Sequence, residues 1–400
     1  MFYFQKFNYQ NKAIGNEAST NDVLSLLTVN DPSQEKFVQR VKQTFPITSE
    51  NVKIKGSKEA LDGFKTITNK KMDLELTPLN LQNITFSTNN DKYQMNFTVN
   101  NTSINNQSII TCYEAKKEFL DRNYHLNDYA DFLLDHKEEP LLKDTLAKVI
   151  QSTKIPDKQY KYRFIENNQE LYLRSIVSAG RYKFYDNAIV LYMAFASIND
   201  LVTQLHKDFY VEDMTVTDSK LWISFLEKEA TNIGKNITIQ TGIMLSNSEL
   251  GDGAARFTAY YLIKDKKGNI VKGLDESITN INHGYNPLSI EQGLQNLKNF
   301  TTNRQDIIDA AKKINWSHRL TENDVLTIID LITHHLGNNV PSNIKTALSR
   351  PLNAVDVVNK TYHLMDVLGK LQPFIDNNDK NIQLILEGKI SKWSTYFTNK

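Results

Sequence analysis

Cysteine is almost absent from this 400-residue chain: Cys112 is the single one, which excludes an internal disulfide and any all-cysteine zinc site and fits a reducing cytosol. Charge of one sign is lacking too. With 47 Lys and Arg against 46 Asp and Glu, the net charge is +1, so any attraction to nucleic acid rests on a local patch and not on the field of the whole molecule. Long apolar runs are missing by inspection; no window approaches the ~18–20 residues of a membrane span. The start, "MFYFQKFNYQNKAIG", is aromatic but has no apolar stretch behind a basic one, and so does not read as a secretory signal. No repeat of fixed period stands out, which argues against a solenoid.

What is present is enough for a large core. The chain is 40% hydrophobic, and its length corresponds to roughly two domains of about 100–200 residues each. Three zones follow from the patterning. Residues 1–150 mix short helical and strand patterns: Ile84 and Phe86, then Tyr93, Met95, Phe97 and Val99, alternate with polar residues around Asn89-Asn90-Asp91 and predict a hairpin. After it, Phe119, Leu120, Tyr124, Leu126, Tyr129, Phe132 and Leu133 recur at a helical period, with Pro140 as punctuation. Residues 151–287 alternate basic-aromatic strands with helix and form a central sheet domain. Residues 288–400 are almost all helix, broken at Gly337-Asn338-Asn339, Pro341, Pro351 and Asn377-Asn378. The fold class expected is α+β, with a central β-sheet, packed helices and a mostly helical C-terminal region.

The most unusual stretch runs from Lys154 to Lys183. Seven Lys or Arg stand there against three acids, interleaved with Tyr160, Tyr162, Phe164, Tyr172 and Tyr182. In "KQYKYRFI", Lys158, Tyr160, Tyr162 and Phe164 point one way from a strand, and Lys161, Arg163 and Ile165 the other. Two readings are open. The rings are core, or they are exposed platforms on which bases stack while the cations meet phosphates, as in sequence-tolerant single-strand binding. Exposure of Tyr160, Tyr162 and Tyr182 distinguishes them. Asp186 or Asn187 is the natural N-cap of a helix from Ala188 through "IVLYMAFASINDLVTQL", which would set Arg181, Tyr182 and Lys183 beside amides that favour anions. "LSNSELGDGAARF" predicts a glycine-bearing hairpin turn with Arg256 on the returning strand; without a "GK[ST]" or a following helix it is not a P-loop.

"RSIVSAGRYKFYDNAIVL", followed by "GIMLSNSELGDGAARFTAYYLI", resembles the paired motifs of the phage/plasmid-like family, a domain of unknown function of phages, plasmids and their hosts. The matching positions are Arg174, Ser178, Tyr182, Asp186 and Asn187, then Gly242, Asn247, Ser248, Glu249, Gly251 and Gly253, with His283 answering a later histidine. A Cys-Asn-Gly segment common in the family is replaced by "IKDKKGNIVKG". The family is similar in context to the single-strand annealing recombinases of phages. The resemblance implies a cytoplasmic protein that binds single-stranded DNA in recombination or replication as a homo-oligomeric ring or filament, with no membrane partner and no cofactor. The residues expected to line the strand are Lys158, Lys161, Arg163, Arg174, Arg181, Tyr182, Lys183 and Arg256. The second reading is a phage structural or defence-related interaction protein in which the motifs only hold the fold.

Enzyme signals are thin, and neither catalytic nor metal residues are assigned. His334-His335, His318 and His363 lack the "HExxH" pattern, and Cys112 in "IITCYEAKK" reads as a buried small hydrophobe. A nuclease is the third reading; it needs acids assembled in three dimensions.

Overall fold

The structure, a computed structural model, describes residues 3–10, 15–28, 34–89, 92–100, 102–152, 159–180, 182, 185–281, 300–333, 336, 340–348 and 363–397. It is an α+β fold built on two sheets. The first has the order β1-β9-β10-β12-β13-β14, with β2 beside β9 and β11 beside β12. Its strands are β1 Lys6–Gln10, β2 Ile54–Lys55, β9 Phe209–Thr217, β10 Lys220–Glu227, β11 Thr231–Gly234, β12 Ile237–Ser248, β13 Ala255–Asp265 and β14 Ile270–Ile281. The second has the order β3-β7-β8-β6-β5-β4, from β3 Lys71–Leu76, β4 Leu81–Asn89, β5 Lys92–Val99, β6 Ile109–Thr111, β7 Tyr160–Asn167 and β8 Glu170–Ser178.

The expected hairpins form. β4 pairs antiparallel with β5, closing at Asn89 opposite Lys92, while Asn90 and Asp91 lie outside the described residues. β12 pairs antiparallel with β13, Ser246 opposite Arg256, so the glycine-bearing turn sits where the sequence puts it. The three zones, in contrast, do not follow the sheets. The first 150 residues give β1 and β2 to one sheet and β3 to β6 to the other, and β7 and β8 of the central zone belong to the second sheet. Parallel pairing of β6 with β8 needs a long crossover, and the helices α4 Ala115–Tyr124, α5 Asn127–Asp135 and α6 Glu139–Ile150 supply most of it. The apolar period read along 119–133 is shared between two helices because His125 turns into the left-handed region at φ 55°, and Pro140 stands in the first turn of α6, where its missing N–H costs nothing.

The main core lies on one face of the first sheet. Helix α7, Asn187–Leu205, is apolar on nearly every side and 14 of its 19 residues are buried, as a helix without a polar face must be. Met214 and Val216, Ile223 and Phe225, Ile243 and Leu245, and Ala259 and Tyr261 of the sheet share its core, at the period of two that a strand face imposes. α7 corrects one expectation: by length and composition it could cross a membrane, yet 72% of that window is buried inside the protein. The N-terminal helices α1 Thr20–Leu24, α2 Glu35–Thr44 and α3 Ser57–Phe64 feed the same core. So do α8 Phe300–Lys313, α9 Glu322–Thr333, α10 Ser342–Leu348, α11 Leu364–Asp376 and α12 Lys380–Phe397, the expected helical C-terminal region. A second core packs Phe119, Leu120, Leu133, Leu142 and Leu146 of α4 to α6 on Met95, Phe97, Tyr162, Phe164 and Leu173 of the second sheet.

Candidate functional site: a buried junction and a cleft

Strand β7 alternates as the sequence predicts, and the alternation decides the fate of its side chains. Tyr160, Tyr162 and Phe164 enter the core under α4 to α6. Arg163 leaves from the opposite face, level with Asp73 of β3. There the two motifs meet. Arg163 Nε lies 3.1 and 3.2 Å from the Asp73 oxygens, Nη2 donates to Asp186 Oδ1 at 2.7 Å, and Nη1 donates to Tyr182 Oη at 2.7 Å and the Glu249 carbonyl at 2.6 Å. Its guanidinium carbon stands 5.0 Å from the centre of the Tyr182 ring, a cation–π distance.

Glu249, just beyond the end of β12, is the hub. Its Oε2 accepts from Arg174 Nη1 at 2.6 Å and Lys71 Nζ at 2.8 Å, and its Oε1 from the Asn187 amide at 2.8 Å. Burial works against its ionisation, but Lys71, Arg174 and Arg163 outweigh it and hold the carboxyl well below the usual carboxylate range. Asn247 Nδ2 donates to the Tyr185 carbonyl and to Asn187 Oδ1, both at 2.9 Å. Ser175 donates to the Leu250 carbonyl at 2.5 Å. Gly251 has φ 75°, and a Cβ there would come 2.8 Å from Val177 Cγ1; only glycine lets the turn approach β8 this closely.

The helix start differs from expectation in an informative way. Asp186 is the N-cap residue of α7, yet its side chain makes no capping bond, because Arg163 takes it. The first-turn amide that would favour a phosphate is occupied by Glu249, the protein's own anion.

The residues predicted to line a DNA groove are therefore placed as follows. Arg163 and Arg174 are each 1% exposed and Tyr182 is 7% exposed, all inside the junction. Lys161 is buried 3.8 Å from Glu75. Tyr160 and Tyr162 are buried as well. Among the described members of the set Arg256 alone is exposed, its Nε bonded to Asn280 Oδ1 at 3.0 Å. Lys158, Arg181 and Lys183 lie outside the described residues, as do His283, His334 and His335. A groove lined by Lys161, Arg163, Arg174 and Tyr182 is thus not what the fold presents: β7 and β8 are inner strands, with helices over one face and the end of β12 over the other. Sequence reasoning missed Lys71, Asp73 and Glu75, which stand opposite Ile165, Arg163 and Lys161; their signal is the charge at every second position of "KMDLEL".

Acids do gather elsewhere. A bulge near Ser224 brings Glu212 and Asp213 of β9 to the same hydroxyl, at 2.9 and 3.0 Å, beneath α12. There Lys380 meets Asp213 at 2.7 Å and Lys272 meets Glu212 at 3.4 Å. Burial pushes Glu387 of α12 up to about 8 against the pull of both lysines. Among the described residues no three His, Cys, Asp or Glu converge as a metal-holding group. Cys112 is buried, its thiol 3.4 Å from the Leu173 carbonyl.

An open cleft of about 780 Å³ lies on the second sheet, where β5, β6 and β8 meet α4 and α5. Rings of Tyr93, Tyr113 and Tyr172 and the amines of Lys92, Lys116 and Lys117 line it. Comparison of the chain with protein-family models, curated proteins and solved structures finds no match.

Proposed function

We propose that this chain is a non-catalytic binding protein of a phage or mobile element, working in a reducing cytosol, whose two family-like motifs lock two sheets into one body instead of touching a ligand. The observation that carries this reading is the Glu249 carboxylate, held by Lys71, Arg174 and the first amide of α7. Arg163, Arg174 and Glu249, each about 1% exposed, are shut away from any phosphate in solution. The test is fluorescence anisotropy of labelled oligo-dT with the parent and with Lys161→Ala/Arg256→Ala. Equal affinity and equal salt slope support the reading. A slope flattened by about 0.7 per lost contact would return a strand to the motif face.

A second reading keeps single-stranded DNA as the ligand and a homo-oligomeric ring or filament as the working form. What favours it is that lysines and rings do gather on one open surface, in the cleft of the second sheet. Light scattering with and without oligonucleotide tests the assembly; a monomer under both conditions removes it.

A further inference from the structure

We infer that the cleft on the second sheet is a binding site for a nucleoside-phosphate unit, with the base on its aromatic wall and the phosphate at its lysines. Its volume, about 780 Å³, lies within the several hundred cubic ångströms of small-ligand sites. The wall is built. Phe4 packs on Tyr172 with ring centres 4.6 Å apart and on Tyr113 at 6.1 Å, and the Tyr113 hydroxyl is anchored by Asp218 in the turn between β9 and β10. Tyr113 also holds a positive φ of 54°, uncommon for an aromatic residue and most often kept where a site needs it. Rings fixed from behind offer a flat face at little cost in side-chain entropy.

The charge is matched to an anion. Lys92, Lys116 and Lys117 line the cleft together with Glu114 and Asp131. Lys116 is tied to Asp131 and lies 5.7 Å from the centre of the Tyr93 ring, and Lys92 stands 3.5 Å from Glu114. Lys117, exposed on α4, has no ion-pair partner among the described residues and supplies the uncompensated positive charge.

One buried amide braces the lysine side of the cleft. Asn127 is 6% exposed and lines the cleft. Its Nδ2 donates to Asp131 Oδ2 at 3.2 Å and Asp128 Oδ1 at 3.4 Å, which fixes the orientation of the amide. The remaining Oδ1 is buried with no hydrogen-bond partner among the described residues. That oxygen is closed off from the open cleft, so the part the amide plays is to hold Asp131 beside Lys116. The site shares no residue with the Glu249 junction, so it stands or falls apart from that reading.

The experiment is calorimetric titration of the full chain at low salt with AMP, UMP, inorganic phosphate, oligo-dT and a matched duplex. The expected result is binding of a nucleotide or of oligo-dT with little response to phosphate alone. Tyr172→Leu should weaken it by about fivefold to a hundredfold, the range of one stacked base, and Lys117→Ala should weaken it less and reduce its salt dependence. Binding of AMP or UMP assigns the site to free nucleotides; binding of oligo-dT without the mononucleotides assigns it to a strand. Silence towards both mononucleotides and oligo-dT overturns the inference. So does binding that Lys117→Ala and Tyr172→Leu leave unchanged, once their melting temperatures show both variants folded.

Discussion

Arg174 Nη1 lies 2.6 Å from Glu249 Oε2, and this buried pair ties β8 of the second sheet to the end of β12 of the first. The two residues are 75 positions apart and belong to different motifs. The other two guanidinium nitrogens of Arg174, Nε and Nη2, have no hydrogen-bond partner among the described residues, so Glu249 is its main compensation. Glu249→Gln keeps the shape and removes the charge, leaving Arg174 and Lys71 without their counter-ion. The expected cost is on the order of 3–5 kcal/mol, the usual penalty for removing one member of a buried pair. Urea unfolding measures it, and a loss under about 1 kcal/mol would show that the junction does not hold the sheets.

Two kinds of carboxyl give opposite pH dependences. The pKa of Glu249 is lowered from 4.5 in the fold, so the unfolded chain binds the extra proton; its stabilisation is complete above pH 4.5 and is lost as pH falls below that. Burial pushes Glu118 up to about 7, against the opposing Ile176 amide, Arg122 and Ser175. Here the folded chain keeps the proton, and stability declines as pH rises from 4.5 to about 7. Melting temperatures across pH 3.5–8 should show Glu118→Gln flattening the upper window only, and Glu387→Gln, whose parent carboxyl is raised to about 8, extending that flattening further up. A Glu118→Gln profile parallel to the parent's counts against the assignment.

Glycines separate just as sharply. A Cβ at Gly242 would stand 1.8 Å from the Phe225 carbonyl oxygen, a backbone atom that cannot swing away, whereas Gly180 meets nothing within 4 Å. Gly242→Ala should therefore cost about 3 kcal/mol or more. Gly180→Ala should be neutral or stabilising by up to about 1 kcal/mol. Thermal unfolding of the two variants checks the contrast; equal melting temperatures would refute it.

The predicted contact residues should also divide. Arg163→Ala removes the partner of Asp73, Asp186 and Tyr182 and is expected to cost on the order of 3–5 kcal/mol. Arg256→Ala, on the surface, should stay within about 0.5 kcal/mol of the parent. A mild Arg163 variant would mean that the guanidinium is not structural.

Period and punctuation made much of this fold legible. The alternation through Tyr93 to Val99 marks β5 and its hairpin, the short apolar run Ala188–Ala196 marks α7, and the glycines after Glu249 mark the turn into β13. Each of these depends on neighbours in sequence. What the alternation of β7 left open was the nature of its two faces. A period of two says that Tyr162 and Arg163 point apart; it does not say what covers either side. Tertiary structure alone decided that: α4 to α6 close over the rings, and the guanidinium face is met by Asp73, 90 positions away, and by the Glu249 carbonyl, 86 positions away. The same holds for β1, which pairs with β9 more than 200 positions on, Lys6 against Thr217. A cation that looks ready for phosphate in sequence becomes a structural one when folding brings a carboxylate to it, because desolvation leaves a buried charge no stable alternative to a partner inside the protein.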